Sequence, residues 1–287
     1  MMWKDSYRVG VEQIDRQHKE LFRMTEELIS AVKRGATKAD YEKALGFLQD
    51  YVVEHFRDEE AYFASQHYQG LAVHQEEHRA FTATVADYGR RLKENGFDEK
   101  TLKDLAGTVT AWLIYHVVDT DQKSVAGAVG DEAGENTYHR CVDLFAHSAQ
   151  EVLETMAGVS SKAEAGEQSS EGADLYVRIG LVGEVKGTAV FGFSTELALG
   201  LVKAMTMMEL DQVDELVESA LCEVTNIACG NGATALVKRG LACDIRPPEL
   251  SRAAADWKKG VEVMLDTEEG RLLVGLFLDD ADQQLLP

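Results

Sequence analysis

Past His147 the sequence contains no histidine. All eight, His18, His55, His67, His74, His78, His116, His139 and His147, fall in the first 147 residues. That absence denies imidazole chemistry to the second half and separates two regions of unlike character. Cysteine is scarce: Cys141, Cys222, Cys229 and Cys243 show no CxxC spacing and no small secreted scaffold, so reduced thiols are expected. Basic residues are outnumbered, 29 Lys and Arg against 50 Asp and Glu, for a formal charge of -21. A charge of that size repels nucleic acid and anionic membrane surfaces, so neither is expected as a partner. No stretch approaches the roughly 20 apolar residues of a membrane span. The start, Met1 to Arg8, lacks the apolar run of a signal peptide, and a cytoplasmic protein is expected.

What is present is enough apolar sequence, 45% of 287 residues, for two ordinary cores. Ile14, Leu21, Met24, Leu28 and Val32 recur at three- and four-residue steps, and Gly35 then offers a stop. Leu45, Leu48, Val52, Phe56 and Phe63 repeat the pattern over 41–63. A third helix is expected over about 71–93, closed by Asn95-Gly96, and a fourth from near Asp98 through Trp112 and His116. Long helices joined by short polar turns favour an antiparallel four-helix bundle. Another helix is expected over 131–156. Residues 157–172, AGVSSKAEAGEQSSEG, offer no core anchor and read as a flexible linker. Beyond it the period changes. Strands are expected at 175–182, 187–193, 261–266 and 272–278, with helices at 196–208 and 213–228, an α+β arrangement. The division is therefore 1–130 bundle, 131–172 extra helix and linker, and 173–287 α+β domain.

His55 and Glu59 are four apart, as are His74 and His78. Four residues advance an α-helix by about 400°, so each pair faces one side. His18 lies beside the apolar stripe of the first helix and His116 one turn after Trp112 on the fourth. A lone inward histidine is more often a hydrogen-bonded core residue than a ligand. Five imidazoles and a carboxylate facing one interior would need many separate hydrogen-bond partners, and one metal centre satisfies them together. Imidazole with carboxylate suits iron, and zinc would also fit the pairs, though no HExxH motif is present. Glu60 points about 100° away from Glu59 and is expected in solvent. His67, His139 and His147 are expected to be surface or structural.

These segments resemble the bacterial hemerythrin family: VGVEQIDRQHKELF (9–22), HFRDEE (55–60), HQEEH (74–78) and WLIYHVVDTD (112–121), in order and with the family's spacings. The resemblance implies a non-haem centre of two iron ions that binds dioxygen. His74, His78 and His116 would hold one iron and His18 and His55 the other, with Glu59 and Asp121 bridging. Trp3 resembles a tryptophan common near the start of bacterial members. A regular helix would favour Asp119, three residues after His116, over Asp121, five after; a short π-type turn would reconcile geometry with resemblance. The segment AYFASQHYQGLAVH lacks the family's usual methionine and Tyr-Pro turn, so the pocket lining is expected to differ.

In the second half, Val213, Leu216, Val217, Ala220, Leu221, Val224, Ile227 and Ala228 form a stripe. Glu223 and Asn226 lie one turn apart on the other side, with Ser219 one turn before. On spacing alone this is ordinary helix surface. The region from Asp174 to about Leu278 resembles the CheX-type chemotaxis phosphatases, through GEVKGTAVFGF (183–193), SALCEVTNIACGNGATAL (219–236) and Pro247-Pro248. That resemblance implies an α+β fold, often dimeric, which removes phosphate from the aspartyl phosphate of a response-regulator receiver domain. Asn226 would orient the attacking water and Glu223 would pair with the receiver's lysine. Gly230-Asn231-Gly232 is expected to end the helix as a structural turn.

The expectation is a sensor in which dioxygen or redox state at the bundle modulates a phosphatase or docking domain. Two rivals remain at this stage: an oxygen storage or delivery protein whose second domain only dimerises or binds a partner, and a di-iron enzyme acting on peroxide or nitric oxide.

Overall fold

The structure, a computed structural model, describes residues 3–35, 37–96, 98–125, 141–164, 173–252 and 260–279. Its contacts divide the chain into two compact units, Met1–Gly134 and Glu135–Pro287.

The first unit contains four long helices, α1 (Glu12–Lys33), α2 (Lys38–Ser65), α3 (Leu71–Asn95) and α4 (Glu99–Tyr115). A π-helical turn, His116–Asp121, and a short α5 (Gln122–Val125) follow directly. The boundaries have local causes. Thr37 and Asp40 form a reciprocal capping box at the start of α2. The Asp98 carboxylate accepts the Lys100 backbone N–H at the start of α4. Gly96 takes φ +79° and ends α3, a conformation that costs glycine little. Ile14, Leu21 and Leu28 of α1 meet a core that includes Leu45, Leu48 and Val52 of α2, Phe81 and Val85 of α3, and Leu102, Leu105 and Val109 of α4, all buried. Asp15 is buried because its carboxylate accepts the Val9 backbone N–H at 2.8 Å, which fixes the chain's entry into α1.

Among the described residues, the second unit is an antiparallel sheet with three helices packed on it. Its elements are α6 (Cys141–Ala157), β1 (Ser161–Glu164), β2 (Leu175–Gly183), β3 (Gly187–Phe193), α7 (Thr195–Thr206), α8 (Glu215–Lys238), β4 (Cys243–Ile245), β5 (Glu249–Ser251), β6 (Val261–Thr267) and β7 (Gly270–Leu278). The strand order is β1-β6-β7-β3-β2-β4, and β5 also pairs with β2. Val177, Ile179, Ala189, Phe191, Val274 and Leu276 are buried on one face of the sheet, and Tyr176, Val190, Met264 and Leu273 form a second buried cluster on the other.

Three sequence expectations change here. The helix beginning at Cys141 packs on α8, β6 and β7, so it belongs to the second unit rather than to an isolated connector; the part of that expectation before Cys141 lies outside the described residues. Within the segment read as linker, Ser161–Glu164 pairs antiparallel with β6 as an edge strand. Edge pairing needs backbone bonds on one side only, which polar residues supply without an apolar pattern. The remainder of that segment, 165–172, lies outside the described residues.

The third change is in α8, which does not stop at Gly230-Asn231-Gly232 but runs on to Lys238. Tertiary packing outweighs the poor helix propensity of two glycines. Gly232 is buried, and a Cβ there would lie 2.7 Å from the ring of Phe145 on α6. Phe145 is fully buried, so its ring or the helix must shift to admit a Cβ. Gly232→Ala should therefore cost about 1–3 kcal/mol through overpacking, even though alanine is the better helix former. Urea denaturation would measure it, and a stabilised variant would refute the packing argument.

Candidate functional site

The bundle brings all seven expected ligands into one buried cluster: His18, His55, Glu59, His74, His78, His116 and Asp121. His18 Nε2 lies 3.5 Å from Glu59 Oε1 and 3.2 Å from Asp121 Oδ2. His74 Nε2 and His78 Nε2 each approach Glu59 Oε2 at 3.3 Å, and His55 Nε2 approaches it at 3.9 Å. His116 Nε2 is 3.2 Å from Asp121 Oδ1. Two overlapping sets emerge among the described residues, Glu59 with His74, His78 and His116, and Glu59 with His18 and His55; within each, the ligand atoms lie within 4.8 Å of one another. Glu59 belongs to both.

Asp121 reaches this cluster through the π-helical turn. Such a turn closes i→i+5, so residues five apart become neighbours along one face, as residues four apart are in an α-helix. Asp119, which regular α geometry would favour, instead pairs with Lys123 at 3.0 Å.

The donor set fits cations. His78 Nδ1 donates to Glu60 Oε1 at 2.8 Å, and His116 Nδ1 lies 3.3 Å from Glu77 Oε2. With a proton on each of those Nδ1 atoms, the two Nε2 atoms would face one another with lone pairs at 2.9 Å. Two lone pairs repel at that distance. A cation between them turns repulsion into ligation, and ligands at right angles about 2.1 Å from an ion sit about 3 Å apart. Both ring nitrogens of His18, Oε1 of Glu59 and both carboxylate oxygens of Asp121 are buried without a hydrogen-bond partner. Apart from His18 Nδ1 they meet only the ion-pair contacts given above, at 3.2–3.5 Å, and metal ligation would occupy the oxygens and one imidazole nitrogen.

Electrostatics of the bare cluster agree. Burial opposes charge on His18, but Asp121 and Glu59 outweigh it and raise its pKa to about 9. Burial and the neighbouring imidazoles push His55 down to about 3, although Glu59 opposes them. Burial also raises the Glu59 carboxyl, yet His18, His55, His74 and His78 overcome it and hold Glu59 well below the usual range. The metal-free cluster thus keeps a proton on His18 at neutral pH, which a cation must displace. Loading metal at pH 7 should release protons, measurable with an indicator dye in weak buffer. Uptake without proton release would contradict this account.

Aromatic rings wall the cluster. Phe56 stacks on His78 at 3.6 Å and Trp112 on His116 at 4.2 Å, with Phe81 stacked on Trp112 at 3.8 Å. Phe63 meets His74 edge-on at 4.9 Å. They orient the imidazoles and keep water away.

Sequence reasoning missed an outer layer and misplaced one member of it. Glu60 is not solvated on its own: it binds His78 and accepts from Gln75 Nε2 at 3.0 Å. Glu77 on His116, Gln17 on His55 (3.3 Å) and Ser124 on His74 (3.5 Å) were not singled out. A single-helix projection cannot show them, because each contact crosses between helices or joins distant parts of the chain. His67 is exposed in a turn at φ +55°, and His147 pairs with Glu151 on α6 at 3.4 Å; His139 lies outside the described residues.

Residues 9–125 match the family model of the Hemerythrin HHE cation binding domain, and residues 175–256 match that of the Chemotaxis phosphatase CheX. A bacteriohemerythrin of Methylococcus capsulatus is 30% identical over 108 residues, covering 38% of this chain and 80% of that protein. A bacteriohemerythrin of Clostridium acetobutylicum is 28% identical over 128 residues, covering 43% of this chain and 98% of that protein. The CheY-P phosphatase CheX of Thermotoga maritima is 34% identical over 117 residues, covering 39% of this chain and 74% of that protein. The chain is a hemerythrin domain fused to a CheX domain.

In the CheX domain, α8 carries Glu223 and Asn226 one turn apart. The sequence suggested open surface for that side, but both residues are half-buried and Ser219 is buried. α8 packs beside α6 and α7 as well as β2 and β4, so more of its circumference is covered than one apolar stripe implies. Burial raises the Glu223 carboxyl to about 7. Among the described residues neither Glu223 nor Asn226 has a hydrogen-bond or ion-pair partner, which leaves both groups available to a docked partner.

No helix among the described residues is long and apolar enough to cross a membrane.

Proposed function

We propose that the hemerythrin domain holds two iron ions and binds dioxygen, and that this state controls the CheX domain's action on a phosphorylated receiver. The observation that carries the reading is the pair of overlapping buried ligand sets sharing Glu59. His74, His78 and His116 would hold one ion, His18 and His55 the other, with Glu59 and Asp121 bridging. Bound there, iron would supply a redox-active centre open to dioxygen. The chain's own part is to present neutral imidazole nitrogens, supply two buried carboxylates, and exclude water with Phe56, Phe63 and Trp112.

For the CheX domain, the named activity of the Thermotoga maritima relative supports hydrolysis of an aspartyl phosphate. Asn226 would hold a water in line with the phosphorus. The water oxygen bonds to phosphorus as the bond to the aspartyl oxygen breaks, releasing phosphate and the receiver's carboxylate. Glu223 would pair with a lysine of the receiver, and that pairing requires its charged form. Because burial raises its pKa to about 7, ionisation grows as pH rises through that value. Receiver dephosphorylation should therefore rise between about pH 6 and 8, and Glu223→Gln should flatten this limb. The stability effect has the opposite sign: the protonated form favours the fold below the carboxyl's ordinary 4.5, and this contribution is lost as pH rises through about 7.

An absorption spectrum taken anaerobically and then in air, with iron quantified on the same sample, tests the first half. Absence of iron, or iron without an oxygen-dependent band, rejects it. Dephosphorylation rates of a CheY-type receiver by reduced, aerated and oxidised protein test the control; equal rates reject it.

A further inference from the structure

We propose that the two ion positions hold metal with unequal firmness, and that Glu60 and Glu77 set the difference. The inference rests on the di-iron reading above. Each ligand imidazole has a second nitrogen facing away from the cluster, and what that nitrogen meets differs between the positions.

At the position of His74, His78 and His116, His78 Nδ1 meets Glu60 Oε1 at 2.8 Å, His116 Nδ1 meets Glu77 Oε2 at 3.3 Å, and His74 Nδ1 lies 3.5 Å from Ser124 Oγ. Two of the three rings are backed by carboxylates. At the position of His18 and His55 there is no such charge. His55 Nδ1 meets the Gln17 amide oxygen at 3.3 Å, and His18 Nδ1 has no hydrogen-bond partner. The Gln17 amide is oriented by its other end, where Nε2 donates to Asp58 Oδ2 at 2.9 Å. An ionised carboxylate can only accept, so the amide oxygen is left for His55.

A carboxylate behind an imidazole draws on its N–H, fixes the tautomer and makes the opposite nitrogen a stronger donor to a cation. The position with three histidines therefore gains twice over, from an extra ligand and from two backing charges. The other position rests on a neutral amide, with the Asp58 charge one hydrogen bond further out. Glu60 is the better placed of the two backing carboxylates. Its side chain is 26% exposed against 42% for Glu77, and Gln75 holds its second oxygen. Glu60 and Glu77 are thus positioning residues, acting on the ions through His78 and His116.

The full chain, loaded anaerobically with ferrous iron, is mixed with excess ferrous chelator and iron release is followed by the absorbance of the chelate. Wild type should release iron in two phases of equal amplitude, separated by at least about tenfold. Glu60→Gln with Glu77→Gln keeps shape and hydrogen-bonding capacity but removes both charges. It should accelerate only the slow phase, by about 10–100-fold. Gln17→Glu with Asp58→Asn puts a charge behind His55 and should slow only the fast phase, a gain that damaged folding would not produce. A single phase in wild type, or equal acceleration of both phases in the first variant, overturns the inference. A chain that takes up no iron overturns the di-iron reading and this inference with it; one that takes up two ions and releases them alike overturns the inference alone.

Discussion

Glu59→Ala should strip the hemerythrin domain of both metal ions. Glu59 is fully buried, belongs to both ligand sets and carries a carboxylate that comes within 3.9 Å of four imidazoles. Its removal takes a ligand from each ion and leaves those imidazoles with only Asp121 inside the cluster. Loss of an outer hydrogen-bond partner costs metal affinity about 10–100-fold, and loss of a shared ligand should exceed that range. Metal analysis after desalting should find two ions per wild-type chain and almost none in the variant. The melting temperature offers a second reading. A ligand present at about 100 times its Kd stabilises the folded state by about 2.7 kcal/mol, so added iron should raise the wild-type Tm and leave the variant unmoved. Asp119→Asn is the control. Asp119 pairs with Lys123 outside the cluster, and its variant should keep both ions. Retention of two ions by Glu59→Ala would end the shared-ligand account.

Asn226→Ala should slow dephosphorylation of a CheY-type receiver by about 100-fold or more, the scale expected when a reacting water loses its orientation. The side chain is half-buried on α8 and makes no hydrogen bond among the described residues, so its loss should leave the fold and melting temperature nearly unchanged. The measurement is the decay of phosphorylated receiver with variant or wild-type chain in excess, corrected for spontaneous hydrolysis. A rate equal to wild type would assign α8 to docking or assembly instead, and the CheX domain would then read out the bundle by binding.

The ligands differ in how they could be read from sequence. The pairs His55 with Glu59 and His74 with His78 declare themselves, because four-residue spacing and a shared helix face coincide. His18 and His116 gain meaning only as members of the set. Asp121 is legible through resemblance and not through α-helical geometry, which points to Asp119. The outer carboxylates escaped: a helical projection sends Glu60 to solvent, whereas His78 reaches it from the neighbouring helix. In the CheX domain the strand pairs around Gly183–Gly187 and Glu268–Gly270 follow from alternation and turn residues. The last turns of α8 do not, since local propensity argues against Gly230 and Gly232, and only the fit against Phe145 reveals why they stay helical. Edge strand β1 is illegible for a related reason: its partner β6 lies about a hundred residues away.

The wide turn from His116 to Asp121 behaves as though one residue had been slipped into an ordinary helix and absorbed there. A chain one residue shorter at this place would wind regularly and still deliver a carboxylate to the same face, four positions after the histidine. Pitch, and not the tally of intervening residues, is what aligns these two groups. Distant kin could therefore house the same centre under ligand spacings that differ by one, and a search with fixed intervals would overlook them.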